Sequence, residues 1–481
     1  MSEPSGSVGV RLGTPTGRGV VLAAVLGSGM TMLDGTVVNV ALHTIGEDLD
    51  ASLAQLQWIT NGYLLALSSF ILLGGSLGDR FGRRRVFVVG TIWFAIASLV
   101  CGVAPNAEVL IAARVLQGVG AALLTPGSLA MIQGAFATED RAPAIGAWSG
   151  LTAVAGAVGP FLGGGLVEYA DWRWIFLVNP PLAAVTVFIT LKWVPETRDP
   201  NASTHFDLAG AVLASLALGG TTYALIQWGG TTAWVAIAVG VLAAIGFLVV
   251  EEREREPMLA LGVFRDRTFS AANVMTLLVY GALGAVSFFT TIQLQTVSGY
   301  GALAAGASFV PMTILMLLLG SRSGRLGMRI GPRIPMTFGP VVMAVGVLLL
   351  LRIDADLSYV REVLPGMVVF GLGLVLMIAP LTATVLAAAP AEHAGIASGV
   401  NNAVARAAAL LAVSALPVAV GLHGEQYADP VAFDSAFRSA LMICAGLLLA
   451  GGLVSWLAIR PRVLEEATGS PEDLDGVVGA G

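Results

Sequence analysis

Three ionisable residues fall where the rest of the chain is apolar: Asp34, Arg114 and Arg406. Asp34 lies near the middle of the run GSGMTMLDGTVVNVALHTI, residues 27–45, and it is the one acid among 31 that cannot be assigned to a loop or a helix end. A carboxylate at the centre of a bilayer costs at least about 2.5–3.5 kcal/mol, so it must face a protein interior or a watery cavity. The chemistry open to it there is uptake and release of a proton. Arg114 stands about six residues into its own run and Asp34 about ten from the same end of another, roughly 9 and 15 Å deep at 1.5 Å per residue. A long guanidinium side chain bridges that difference if the two helices are neighbours. It stabilises the carboxylate while burial stabilises the neutral acid, and a group held between the two can change protonation. The plainer reading is that Arg114 snorkels outward; Gln117, one turn deeper, favours a polar interior face. Arg406, about twelve residues into its run, has no acid at similar depth. Backbone carbonyls, an anionic ligand, or Asp34 in another conformation are equal readings.

Other polar and aromatic residues sit in the same apolar background. Asn39, Asn61, Gln117, Gln293, Asn401 and Asn402 are candidates to line an internal cavity, with Tyr63, Trp148 and Tyr280 as aromatic walls. Many such side chains serve only as interhelical contacts worth about 0.6–2 kcal/mol each. His43 is a candidate external proton sensor, though a loop-end histidine is more often simply solvated. The four histidines are scattered at 43, 205, 393 and 423, so no metal-ligand set is expected. Cys101 and Cys444 fall in apolar runs and read as buried small hydrophobes. Lys192 is the sole lysine and follows Leu191, which excludes a phosphate-binding GK[ST] loop and leaves no nucleotide or other cofactor to expect. The loops are too short to carry an enzyme site, and nothing calls for a nucleic-acid partner.

What must position these groups is a membrane-embedded body. The chain is 56% hydrophobic and 12% charged, with mean hydropathy +0.83. Apolar runs of spanning length recur at 19–44, 53–78, 86–104, 108–132, 142–167, 174–194, 208–228, 232–250, 270–296, 302–321, 335–351, 362–386, 394–420 and 436–458. The expected fold is an all-α integral membrane protein of about fourteen helices, because a barrel needs short alternating segments. Arginines crowd the connections on one side, as at Arg83, Arg84 and Arg85 or Arg322, Arg325 and Arg329, while the other side holds only Arg173, Arg352, Arg361 and Arg438. That bias places both termini in the cytoplasm. GSLGDRFGRR at 75–84 recurs as GRLGMRIGPR at 324–333, which signals two related halves. The expected organisation is a tail, 1–18; a six-helix bundle, 19–195; an inserted two-helix hairpin, 206–250; a charged linker, 251–268; a second six-helix bundle, 269–459; and an acidic tail, 460–481.

These segments resemble, in order, the motifs of the 14-span drug:proton antiporter branch of the major facilitator superfamily. LDGTVVNVAL at 33–42 resembles that branch's first-span signature, with His43 where the family usually has proline. GSLGDRFGRRR at 75–85 is similar to the loop motif of the superfamily, RVLQGVGAA at 114–122 to its fourth-span motif, VGPFLGG at 158–164 to the antiporter motif, and DWRWIFLVNPP at 171–181 to the sixth-span entry. The resemblance implies a gate latch at Gly75, Gly78, Asp79, Arg80, Gly82 and Arg83, and a leak-preventing contact at Gly159, Pro160, Gly163 and Gly164. The glycines of both motifs are expected to let backbones approach closely. The function it implies is proton-coupled export of small amphipathic compounds by a plasma-membrane monomer, with Asp34 and Arg114 coupling the proton. Export of one self-made metabolite shares every motif; a nutrient symporter or a membrane scaffold or sensor fits them less well.

Overall fold

The computed structural model describes residues 9–198, 207–254, 259, 261–354, 357–389, 394–422, 424–427, 429–461, 463 and 464. Its described residues are helical apart from turns, connections and one isolated bridge between Val10 and Phe136. Fourteen helices are long and apolar enough to cross a membrane. In chain order they are α1 (Pro15–Asp48), α2 (Leu53–Phe81), α3 (Arg83–Gly102), α4 (Ala107–Ala135), α5 (Thr138–Tyr169), α6 (Trp174–Trp193), α7 (Leu208–Ile226), α8 (Thr231–Arg253), α9 (Arg267–Val297), α10 (Ala302–Gly320), α11 (Arg333–Leu350), α12 (Tyr359–Ala387), α13 (Ala394–Ala419) and α14 (Pro430–Ala458). The acids that hydropathy consigns to helix ends cap them. Asp207, Asp266 and Asp429 each accept a backbone N–H at the start of α7, α9 and α14. Ser52 and Gln55 close a reciprocal capping box on α2.

Some spans are less regular than their hydropathy. α9 ends in a π-turn at Gln293–Val297, and α12 begins with another at Tyr359–Val363. α10 breaks after Ala307 and resumes at Val310, running on to Ile330. α1 continues through His43 to Asp48, so the missing proline leaves the helix unbroken; His43 Nε2 lies 3.5 Å from Glu47 Oε1, one turn on.

Packing repeats between the first six spans and the last six. α1 packs on α4, α5 and α6, α4 on α2 and α3, and α6 on α3; α9 packs on α12, α13 and α14, α12 on α10 and α11, and α14 on α11. Glycines make the close pairs possible in both sets. A Cβ at Gly118 would lie 2.4 Å from the Tyr63 carbonyl oxygen on α2, and one at Gly120 2.7 Å from the Phe94 nitrogen on α3. Gly371 and Gly373 do the same for α12, with a Cβ 2.8 Å from Met312 Cα on α10 and 2.4 Å from the Gly339 oxygen on α11. The turns ending the two related loop motifs also match: Gly82 has φ +111° and Gly331 +77°, a region open to glycine at little cost.

Between the two sets lie two seams. α2 meets α13 at one and α5 meets α10 at the other. Hydrogen bonds between the two sets gather toward the end of the molecule poor in arginine. Gln57 donates to the Val413 oxygen, Asn61 to Ser414 Oγ, Gln295 to the Val40 oxygen, and the Leu303 amide to Glu168, at 3.2, 2.9, 3.0 and 3.1 Å. Near mid-helix Leu151 of α5 (51%) and Leu317 of α10 (55%) are exposed, while toward the arginine-rich end α2 and α13 still touch, a Cβ at Gly399 lying 2.8 Å from the Leu72 side chain. The α7–α8 hairpin packs against both α2 and α13, along the first seam.

The glycine expectation holds only in part in the 75–85 loop motif. Gly75 and Gly78 have no close backbone neighbour: a Cβ would lie 3.7 Å from Pro126 Cβ and 4.0 Å from Arg83 Cα. The tight approach is at Gly74, where a Cβ would stand 2.1 Å from the Ala122 oxygen, and at Gly82, where it would meet Glu196 at 2.5 Å. Gly74→Ala should therefore lower the melting temperature of the detergent-purified protein by the equivalent of about 1–3 kcal/mol, while Gly75→Ala leaves it within about 0.5 kcal/mol.

Candidate functional site

Asp34 is fully enclosed by its own half of the molecule. It and Arg114 are each 1% exposed, and Arg114 Nη1 stands 2.5 Å from Asp34 Oδ2. The other carboxylate oxygen accepts Gln117 Nε2 at 2.8 Å and, more loosely, Asn179 Nδ2 at 3.4 Å. Arg114 is held independently of the acid. Its Nε donates to the Ile59 oxygen of α2 at 3.1 Å, its Nη1 also reaches Gln117 Oε1 at 2.7 Å, and its charge lies 4.3 Å from the centre of the Tyr63 ring and 5.6 Å from that of Phe176. Asn179 donates to Ser98 Oγ at 3.0 Å, and Ser98 donates to the Phe176 oxygen at 2.9 Å. Cys101 Sγ lies 3.5 Å from Gln117 Oε1, so this buried thiol borders the network. Spans α1, α2, α3, α4 and α6 all contribute a group.

The helices explain the convergence. Gln117 follows Arg114 by one turn, so both project from one face of α4, and Gly118 and Gly120 bring that helix hard against α2 and α3. Asn179 stands at the start of the regular part of α6, before Pro180 and Pro181, after the short turn Trp174–Leu177. Its Oδ1 is buried and has no hydrogen-bond partner among the described residues.

The remaining candidates are dispersed. Tyr63 joins the network, with its hydroxyl 3.4 Å from the Thr31 oxygen. Asn61 is taken up by the α2–α13 seam, and its Oδ1 is buried without a partner, as is Asn39 Oδ1 on α1. Trp148 donates to Ser28 Oγ at 3.0 Å, pinning α5 to α1. Gln293 lies in the π-turn that ends α9 and donates to Asp434 of α14 at 2.7 Å. Asn401 donates to Asn273 and Thr276 of α9, and exposed Asn402 to the Ser398 oxygen of its own helix. Half-buried Tyr280 packs beside the core of the last six spans. Arg406 has no carboxylate partner among the described residues; its Nη2 lies 3.8 Å from Met32 Sδ on α1. A cleft of about 490 Å³ lies elsewhere, at the arginine-poor end between Gln57, Gln227, Trp228 and Pro417.

At the loop motif, Asp79 accepts both Arg83 Nε and Nη2, at 2.8 and 2.7 Å, and Arg83 Nη1 donates to the Ala130 oxygen of α4 at 3.1 Å. Glu196, just past α6, accepts the Arg84 amide and lies 3.7 Å from both Arg84 and Arg85. Arg80 lies beside the Phe81 ring. In the antiporter-like motif, a Cβ on Gly159 or Gly163 would strike Thr36 or Val37 of α1, and one on Gly164 would strike Leu303 of α10. The Pro160 oxygen faces Gly306 of α10 just as closely, so this motif clamps α5 to both neighbours.

The model of the Major Facilitator Superfamily matches residues 24–413. The chain belongs to that superfamily. It is 35% identical to the tetracenomycin C resistance and export protein of Streptomyces glaucescens, over 86% of this chain and 78% of that one. It is 33% identical to the puromycin resistance protein of Streptomyces alboniger, over 94% and 92%. Among solved structures, a bacterial homolog of the human lysosomal transporter Spinster, in an inward-facing and unoccupied conformation, superposes with TM-score 0.64 at 18% identity, covering 95% of this chain and 99% of that one. As a superfamily member the chain is a membrane transporter.

Removing one partner of a buried ion pair strands the other. Arg114→Gln should destabilise the purified protein by about 3–5 kcal/mol. The double variant Asp34→Asn/Arg114→Gln should fall short of the sum of the two single losses by at least about 1 kcal/mol in a thermal-melt cycle; additive losses would count against a tight pair.

Proposed function

We propose that this protein is a proton-coupled exporter of small amphipathic compounds of the drug or antibiotic type. It works as a monomer in the plasma membrane, with the arginine-rich end and both termini in the cytoplasm. The names of its relatives support the export of such compounds. The observation that carries the coupling is the sealed Asp34–Arg114 pair, held by groups from five spans. Such an acid is costly to keep inside a membrane unless its change of charge is used.

The network accommodates both protonation states. With Asp34 ionised, Arg114, Gln117 and Asn179 donate to it. When Asp34 takes a proton, its attraction for Arg114 falls away, which at an effective dielectric of about 20 is roughly 4 kcal/mol at 4 Å. Arg114 keeps the Ile59 and Gln117 oxygens and the Tyr63 ring, so its charge remains solvated by the protein. A turn of the Asn179 amide, whose Nδ2 now faces the acid, presents its Oδ1, which has no hydrogen-bond partner among the described residues, to the new O–H of Asp34. Neutralisation therefore loosens α1 from α4 and tightens it toward α6. This is the switch that alternating access requires.

In this reading, residues 19–195 and 269–459 are the two rocking bundles, 206–250 is the inserted hairpin, and 251–268 joins the hairpin to the second bundle. The hydrogen bonds that join the two halves at the arginine-poor end support an inward-facing reading. The Asp79–Arg83 pair, anchored on α4, is the latch of the first bundle. The clamp of Gly159, Gly163 and Gly164 closes the outer path between α5 and its neighbours, against leak. Because Asp34 is enclosed, substrate meets the seam and not the carboxylate, and the proton acts on it through the position of α1. One inward charge gains about 2.3 kcal/mol per 100 mV.

Proteoliposomes with an imposed pH gradient test this against a panel of dyes and antibiotics. One proton per cycle supports about tenfold substrate accumulation per pH unit, and Asp34→Asn should abolish it. Wild-type accumulation by Asp34→Asn would refute the coupling.

A further inference from the structure

Arg406 is the charge that the proton machinery does not use. It lies midway along α13, whose described residues run from Ala394 to Ala419, and at that depth a cation without a counter-charge is expensive. Among the described residues no carboxylate lies within ion-pair distance of it. Its guanidinium is half-buried and crosses from the second half to the first, where it meets Met32 of α1 at 3.8 Å. Helices α1 and α13 do not pack along one another, so this contact spans the space between the halves.

The surroundings fix the sign of the chamber. The Arg114 charge is offset by Asp34 at 2.5 Å, and this neutral pair is enclosed within the first half. Arg406 therefore sets the electrostatic potential where substrate meets the seam. Beside it stand the soft, polarisable side chain of Met32, which is 37% exposed, and exposed Asn402 one turn away on α13. A planar guanidinium with free donors matches an oxyanion, and Met32 and Tyr280 match an apolar ring system attached to it.

We propose, resting on the export reading above, that Arg406 is the specificity-determining residue of the central chamber and selects amphipathic organic acids, compounds carrying a carboxylate or phenolate on an aromatic body, over cations of similar size. The acid docks on the guanidinium and supplies the counter-charge that Arg406 lacks. A cationic compound meets an uncompensated like charge in a low-dielectric space and is turned away.

The test uses fluorescein, a planar carboxylate dye, and ethidium, a planar cation. Binding of each to the detergent-purified full chain is read by fluorescence anisotropy for the wild type, Arg406→Gln and Arg406→Lys, all checked for a monodisperse elution peak. The wild type should favour fluorescein by about tenfold or more, as expected for a charge-assisted hydrogen bond. Arg406→Gln should lose that preference by weakening fluorescein and not ethidium, and Arg406→Lys should retain most of it. A wild type without preference for fluorescein, or an Arg406→Gln variant that binds both dyes as before or loses both equally, overturns the proposal. Uptake of the same dyes into inside-out vesicles is scored separately. Binding that follows Arg406 without any uptake would sink the export reading and leave the assignment of Arg406 standing.

Discussion

A buried ion pair is stable only when the groups around it replace the water both charges have lost, and that requirement organises the first half of this protein. Asp34 and Arg114 would each be costly alone. Together they need Gln117 beside them, Asn179 behind, a backbone oxygen from α2 and an aromatic face to close the remaining donors. Those groups come from helices that must approach within contact distance. Hence Gly118 and Gly120 matter as much to the site as any polar residue, because a Cβ at either would push α4, and Arg114 with it, away from α2 or α3. Small residues set the spacing, and spacing decides whether the charges are satisfied.

The second half repeats the packing and omits the charges. In the register that pairs Gly82 with Gly331, Leu283 stands where Asp34 does and Met328 where Asp79 does. In the register that pairs Gly118 with Gly371 and Gly120 with Gly373, buried Met367 stands where Arg114 does. One scaffold thus serves twice, once around a buried ion pair and once around an apolar core beside which Arg406 points across to the other half. The division of labour follows from a few substitutions on a common backbone.

Much of this was readable in the chain. Hydropathy gave fourteen spans, and the isolation of Asp34 and the relative depths of Asp34 and Arg114 pointed to their pairing, which the structure shows at 2.5 Å. The partners Asn179, Ser98 and the Ile59 oxygen were not legible. Whether a polar side chain on α3 or α6 faces Asp34 depends on the rotation of that helix about its axis, which apolarity on nearly all sides does not encode. Asn179 before two prolines reads as a helix entry, and the signal that marks it is an amide where an ordinary apolar span needs none. The Gln293–Asp434 bond was not legible for a related reason: a π-turn shifts the register at the end of α9. In the loop motif the close approach expected at Gly75 falls one position earlier, at Gly74, because the two face different neighbours and spacing alone does not tell them apart.

The α7–α8 hairpin breaks the symmetry between the two seams. It lies on α2 and α13 together and has no counterpart over α5 and α10. One flank between the halves is thus walled by an added pair of helices while the other is left to the lipid, so the two sides of the molecule differ although its two halves match.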